Sequence, residues 1–199
     1  MPTTLEMIKE LREKTGAGVL DCRKALETCE GDMTRAQQML YDKGLAAAAR
    51  KAERETKQGL IDAYVHLGRA AALVEVNCET DFVARTARFK ELAHNLAMQV
   101  VASRPQYVRP EDIPTDVLEK QRSAYQAQLE SQGKPAHVLQ EIVEGKLKKF
   151  YAEVCLLHQP YIRDQEKTVQ DIVNEVVATT GENIVVRRFA RLELNEQDS

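Results

Sequence analysis

Apolar residues recur at helical spacing from the start of the chain. Leu5, Ile8 and Leu11 predict a helix over residues 4–15, with Thr3 or Thr4 placed to accept from its orphan amides. Gly16-Ala-Gly18 breaks the pattern, and a second helix follows over residues 19–29. Gly31-Asp32 punctuates, with Asp32 as a natural N-cap. Ala36, Met39 and Leu40 then carry a third short helix, expected to stop at Gly44. Residues 45–57 are rich in alanine and charge and poor in large apolar side chains, so they predict a mobile or helical linker.

The period then changes. Residues 60–65 and 71–77 are two β-rich runs separated by Leu67-Gly-Arg69, a hairpin signal. From Thr80 a long helical pattern runs through Phe89, Leu92, Leu96, Val100 and Val101 until Pro105 ends it, and Pro110 and Pro114 confine the next stretch to a loop. Residues 117–131 and 136–150 are two further helical patterns. The helix stop and start Gln132-Gly-Lys-Pro135 between them implies an antiparallel helical hairpin spanning 115–151. A helix over 168–179 and a strand over 181–194 close the chain. Ile184, Val186, Phe189 and Leu192 do not alternate cleanly, which predicts a bulge or bend near Arg187-Arg188. The hairpin and the last strand should pair in one small antiparallel sheet with helices on one face, an α+β core. The expected organisation is a three-helix domain over 1–44, a linker over 45–57 and the α+β core over 58–199.

Composition narrows the function. The chain has 199 residues, 43% hydrophobic and 30% charged, with a net charge of −3. Aromatics are 5% and tryptophan is absent, which argues against a stacking platform for single-stranded nucleic acid, and the bulk charge lacks the basic excess that would point to DNA or RNA, though it leaves local basic patches open. No apolar run approaches the roughly 20 residues needed to span a bilayer, and residues 1–6 begin no secretory signal. The four cysteines, Cys22, Cys29, Cys78 and Cys155, form no C-x-x-C and have no histidine at zinc-finger spacing, so reduced thiols in a cytoplasmic protein are expected, without metal or cofactor.

Enzymatic motifs are missing. There is no phosphate-binding G-x-x-x-x-G-K-[ST] and no G-x-S-x-G, and Gly16-Ala-Gly-Val-Leu-Asp21 lacks the third glycine of a dinucleotide fingerprint. A hydrolase built on Cys155, three residues before His158, or on Cys78 is the enzymatic rival. The unusual segment is Asn77-Cys-Glu-Thr-Asp-Phe-Val-Ala-Arg85, where a strand gives way to a helix. Residue types alone favour a structural role: Thr80 as N-cap, Asp81 at the positive helix end, Phe82 packed on the sheet. The sharper reading is that Asp81 and Phe82 protrude from a rigid corner into a partner.

Leu11-Arg-Glu-Lys-Thr-Gly-Ala-Gly18, Asp21-Cys-Arg-Lys-Ala-Leu26, Val76-Asn-Cys-Glu-Thr-Asp-Phe-Val-Ala-Arg85 and Gly181-Glu-Asn-Ile-Val-Val-Arg-Arg188, in this order and spanning nearly the whole chain, resemble the elongation factor Ts family. The resemblance implies a ubiquitin-associated-like three-helix domain, a linker, an α+β core and a helical hairpin. It implies guanine nucleotide exchange on the GTPase elongation factor Tu, with no bond chemistry. By resemblance, Thr80, Asp81 and Phe82 form the corner that enters the GTPase beside its magnesium and phosphate site. Arg12 and the pair Val19 and Leu20, where many relatives carry two methionines, touch the same domain, and His66 matches a further contact. Short family members are homodimers. Here Val185, Val186 and Phe189 would leave an apolar sheet edge for a second copy, and Ala190 excludes an interchain disulfide at that position. A non-exchanging interaction module built on the three helices is the rival binding reading.

Overall fold

A computed structural model of the chain describes residues 4–130 and 136–196. Its helices are α1 (Leu5–Thr15), α2 (Val19–Thr28), α3 (Met33–Lys51), α4 (Asp81–Ala84), α5 (Ala87–Ser103), α6 (Thr115–Glu130), α7 (Ala136–Val154) and α8 (Val169–Thr180). Its strands are β1 (Gln58–His66), β2 (Ala70–Cys78), β3 (Pro160–Tyr161), β4 (Asp164–Thr168) and β5 (Ile184–Glu193). The class is α+β, with a three-stranded sheet ordered β1-β2-β5 and a separate β3-β4 pair. Two compact units emerge. The first takes residues up to 62, 74–95 and 171–187; the second takes 63–73, 96–170 and 188 onward.

In the first unit the amino-terminal helices form where the apolar spacing places them. Thr4 accepts from the Met7 N–H at 3.3 Å and Asp32 from the Arg35 N–H at 3.0 Å, capping α1 and α3. Gly16 ends α1 at φ 67°, a conformation other residues reach only at a cost. Leu11, Cys22, Ala25, Leu26, Cys29 and Ala36 close a core of their own, with Met7, Ile8, Met33 and Leu40 packed on it.

The expected stop at Gly44 does not occur: α3 runs on to Lys51. A lone glycine costs a helix only about 1 kcal/mol, and Leu45-Ala-Ala-Ala-Ala49 supplies strong helix formers directly after it. Gly44 has a packing reason as well, since a Cβ there would lie 3.3 Å from the Ala178 Cβ of α8. Tyr41, one turn earlier, donates to Asp171 of α8 at 2.5 Å.

The sheet follows the sequence. Ala72, Val74, Val76 and Cys78 of β2 are buried at every second position. Gly59 of β1 has no room for a side chain, because a Cβ would sit 2.2 Å from the Val76 carbonyl oxygen. On β5 the covered positions switch from even to odd at Arg187-Arg188, the place where the broken alternation predicted a bend. Val186 is buried and Val185 and Phe189 are half-buried, so these residues leave part of their apolar surface on the outer strand β5, and Leu192 and Leu194 beyond them are exposed.

In the second unit α6 packs on α7 through Leu129, Val143 and Leu147, with Tyr125 and Ile142 against them. The helix stop and start expected at Gln132-Gly-Lys-Pro135 lies outside the described residues. The β3-β4 pair was not expected, since Asp164-Gln-Glu-Lys-Thr168 is polar throughout. Two buried glutamines hold it in place. Gln99 donates to the Pro160 carbonyl at 3.1 Å and accepts from the Ile162 N–H at 2.9 Å, and Gln159 donates to the carbonyls of Ser103 and Glu153.

Candidate functional site: the strand-to-helix corner

The corner forms where β2 ends. Cys78 is the last buried position of the strand and its thiol donates to the Thr80 carbonyl at 3.2 Å. Thr80 is extended at φ −126° and ψ 155°, and its hydroxyl accepts the Val83 N–H at 3.5 Å, a long capping bond. The chain then makes a single helical turn, α4, before Thr86 starts α5 by accepting from the Phe89 N–H at 3.3 Å. The long helix expected from Thr80 onward is therefore broken at Arg85-Thr86. The break leaves the turn of Asp81–Ala84 standing apart from the helix behind it.

Within that turn only Ala84 is buried. Phe82 is 79% exposed, so it does not pack on the sheet as its residue type suggests. A Phe side chain carries one of the largest apolar surfaces available, and leaving it in water forgoes about 2–3 kcal/mol of burial. Asp81 pairs with Arg85 at 2.8 Å across its own turn. The corner is anchored from behind by Glu182, just ahead of β5. Its carboxylate accepts the N–H groups of Glu79 and Thr80 at 3.1 and 3.0 Å and the Thr80 hydroxyl at 2.5 Å. Residue-level reading of the chain missed Glu182 as a site residue. Its partners lie about a hundred positions away, so no local pattern marks it.

The amino-terminal candidates lie in the same unit. Val19 and Leu20 open α2 directly after Gly18 and are 49% and 62% exposed, and Arg12 is exposed on the last turns of α1. The Arg88 guanidinium, from the first turn of α5, fills the space beside Gly16, 2.6 Å from where a Cβ would stand. That contact sets the α1–α2 turn beside the start of α5 and matches a cation to the carbonyl end of α1. His66 falls in the second unit, exposed at the end of β1, with its Nδ1 3.0 Å from the Tyr64 hydroxyl oxygen. The hairpin tip beside it holds Leu67 and Gly68 at φ 51° and 67°, as a tight turn between strands requires.

Nucleophilic chemistry finds no support here. Burial pushes the Cys155 thiol up to about 11, with Asp112 and Glu111 adding to it, and burial followed by Glu182 does the same for Cys78. Burial also raises Cys22. The His158 ring lies edge-on to Tyr151 at 6.3 Å, and its link to Cys155 is through the backbone. Neutral, enclosed thiols are poor nucleophiles. Among the described residues no cluster of His, Cys, Asp or Glu is placed to hold a metal ion, and no helix is long and apolar enough to cross a membrane.

Comparison with known proteins bears on this geometry. The family model described as Elongation factor TS matches residues 46–176. The chain is 56% identical over 198 residues to elongation factor Ts of Thermotoga neapolitana, covering 99% of this chain and 100% of that one. It is 54% identical to elongation factor Ts of Carboxydothermus hydrogenoformans, over 97% of this chain and 89% of the relative. It is 51% identical to that of Thermodesulfovibrio yellowstonii, over 98% of each.

Proposed function

The chain belongs to the elongation factor Ts family, and on that premise we propose that it promotes GDP release from elongation factor Tu in translation elongation by inserting the Asp81-Phe82 corner beside the nucleotide. The observation that carries this reading is the exposure of Phe82 at 79% on a one-turn helix. An exchange factor makes and breaks no bond. It binds the empty GTPase more tightly than the loaded one, and the coupling is reciprocal, so returning nucleotide expels it. Each tenfold loss of nucleotide affinity requires about 1.4 kcal/mol of differential binding. A fixed apolar wedge with a carboxylate beside a magnesium site supplies that difference in two ways. It displaces phosphate-binding groups, and it competes with the metal's own oxygen ligands.

In this reading residues 1–44 form a ubiquitin-associated-like contact module that touches the GTPase through Arg12, Val19 and Leu20. Residues 45–57 connect it to the core at 58–199, and His66 makes a further contact from the hairpin tip. The protein acts in the cytoplasm as a homodimer. Val65, Leu73, Leu192 and Leu194 are exposed apolar residues of the second unit, and the Leu194 N–H donates to the Arg69 carbonyl at 2.9 Å, which sets the end of β5 beside the hairpin turn. Such an apolar surface on and beside the β1-β2-β5 sheet suits a second copy.

The test is release of fluorescent GDP from elongation factor Tu with and without the chain. A rate that rises and saturates with its concentration is expected, and an unchanged rate would reject exchange. Light scattering across a dilution series tests the dimer, which a fully active monomer at micromolar concentration would refute.

A further inference from the structure

We propose that Glu182 and Asn183 are positioning residues for exchange, a single dipeptide that fixes the Asp81-Phe82 corner in register with the exit of helix α3. The inference rests on the wedge reading above. Glu182 takes the three donors of the corner, as described. Asn183, itself 5% exposed, works in the other direction. Its side-chain amide donates to the carbonyls of Ala52 and Arg54, just past the end of α3, at 3.2 and 2.8 Å. Its backbone N–H donates to the Glu79 carboxylate at 2.7 Å, and Arg54 approaches the same carboxylate at 3.5 Å. A closed ring of contacts therefore runs from the corner through Glu182 and Asn183 to the end of α3 and back to Glu79. The dipeptide is held in turn by Gly181, at φ 78°, and by the Thr180 hydroxyl, which accepts the Glu182 N–H at 3.4 Å.

The physical argument concerns what a single turn of helix can do alone. Four residues cannot sustain a helix, because nucleation is unfavourable and propagation never repays it. The orientation of Asp81 and Phe82 must then come from outside α4, and the carboxylate of Glu182 is where it comes from. Thr80 is exposed, so its freed donors can turn to water when the carboxylate is removed. The loss should appear mainly as a mobile wedge, and only weakly as lost stability. A wedge that must be ordered during release lowers the maximal rate, while the remaining contacts keep the half-saturating concentration.

Glu182→Ala, assayed as the full-length chain with elongation factor Tu and fluorescent GDP, is expected to lower the maximal stimulated rate about tenfold. The half-saturating concentration should move by less than about threefold. Glu182→Gln keeps an acceptor and should fall between. The chain contains no tryptophan, so Phe82→Trp places a single reporter on the corner. Its anisotropy decay should gain a fast, large component when Glu182→Ala is added, and this readout stands whether or not the chain stimulates exchange. An unchanged maximal rate, an equally immobile reporter, or a rate loss that merely tracks the unfolded fraction would each overturn the inference. If the wild-type chain does not accelerate GDP release, the exchange reading fails instead, and a reporter made mobile by Glu182→Ala would still support the clamp.

Discussion

Among the described residues two strand-to-helix corners carry a threonine directly before the helix, Thr168 closing β4 and Thr80 two residues past the end of β2, and the two corners spend their side chains in opposite ways. At Thr168 the next residue, Val169, is fully buried and its N–H donates to the Gln159 carbonyl at 3.0 Å; Asp171, in the first helical turn, receives the Tyr41 hydroxyl of α3. At Thr80 the apolar residue is Phe82, left 79% in water, and Asp81 pairs with Arg85 of the same turn. One corner is consumed by its own fold. The other is built with equal care, three donors converging on Glu182, yet its largest side chain serves nothing inside the molecule. A rigid backbone carrying an unused aromatic is what a wedge requires, because both flanking elements are set by the core while the tip stays free.

The sharpest way to break the contrast is to truncate both corners. Phe82→Ala is expected to slow stimulated GDP release by at least about tenfold while changing unfolding free energy by no more than about 0.5 kcal/mol. Val169→Ala should do the reverse, costing about 2 kcal/mol through lost burial and the cavity left behind, with the folded fraction exchanging normally. Urea unfolding and GDP-release kinetics on the two variants decide it. A Phe82→Ala chain that unfolds early and exchanges normally would make Phe82 a core residue and end the wedge reading.

Much of the architecture was legible because it is written locally. Leu5, Ile8 and Leu11 mark a helical face, Thr4 and Asp32 cap, and Leu67-Gly68 turns the hairpin; each signal lies within a few residues of the structure it causes. The fold departs from the local signal where a distant contact outweighs it. Gly44 looks like a stop, yet it lies in mid-helix against Ala178. The polar run 164–168 has no strand pattern, and the strand it pairs with is held by Gln99 of α5, about sixty residues earlier. The candidate corner was visible as a segment, but its residue types favoured a packed Phe82. Exposure is a property of the assembled fold, and so is the clamp at Glu182, whose partners are about a hundred residues away.

The smallest expected effect tests the consumed corner through its acid. Tyr41 donates to Asp171, and that hydrogen bond, with burial and the acid's charge behind it, raises the phenol to about 12 from its ordinary 10.0. A raised folded-state value means that the neutral phenol is favoured in the folded chain. Its contribution is therefore complete below pH 10 and is lost as pH climbs from there through 12. The side chain is only half-buried, so solvent weakens the bond and Tyr41→Phe should cost about 1 kcal/mol. Urea unfolding of wild type and Tyr41→Phe at pH 8 should show that gap, and at pH 11 the gap should have narrowed. Exchange by the folded fraction at pH 8 should be unaffected, because Asp171 is engaged by a side chain from another helix, whereas Asp81 pairs within its own exposed turn. A gap that holds constant across the two pH values would mean that the Tyr41 hydroxyl does not depend on Asp171. A loss of exchange at pH 8 without loss of stability would mean that the two corners are not opposites after all.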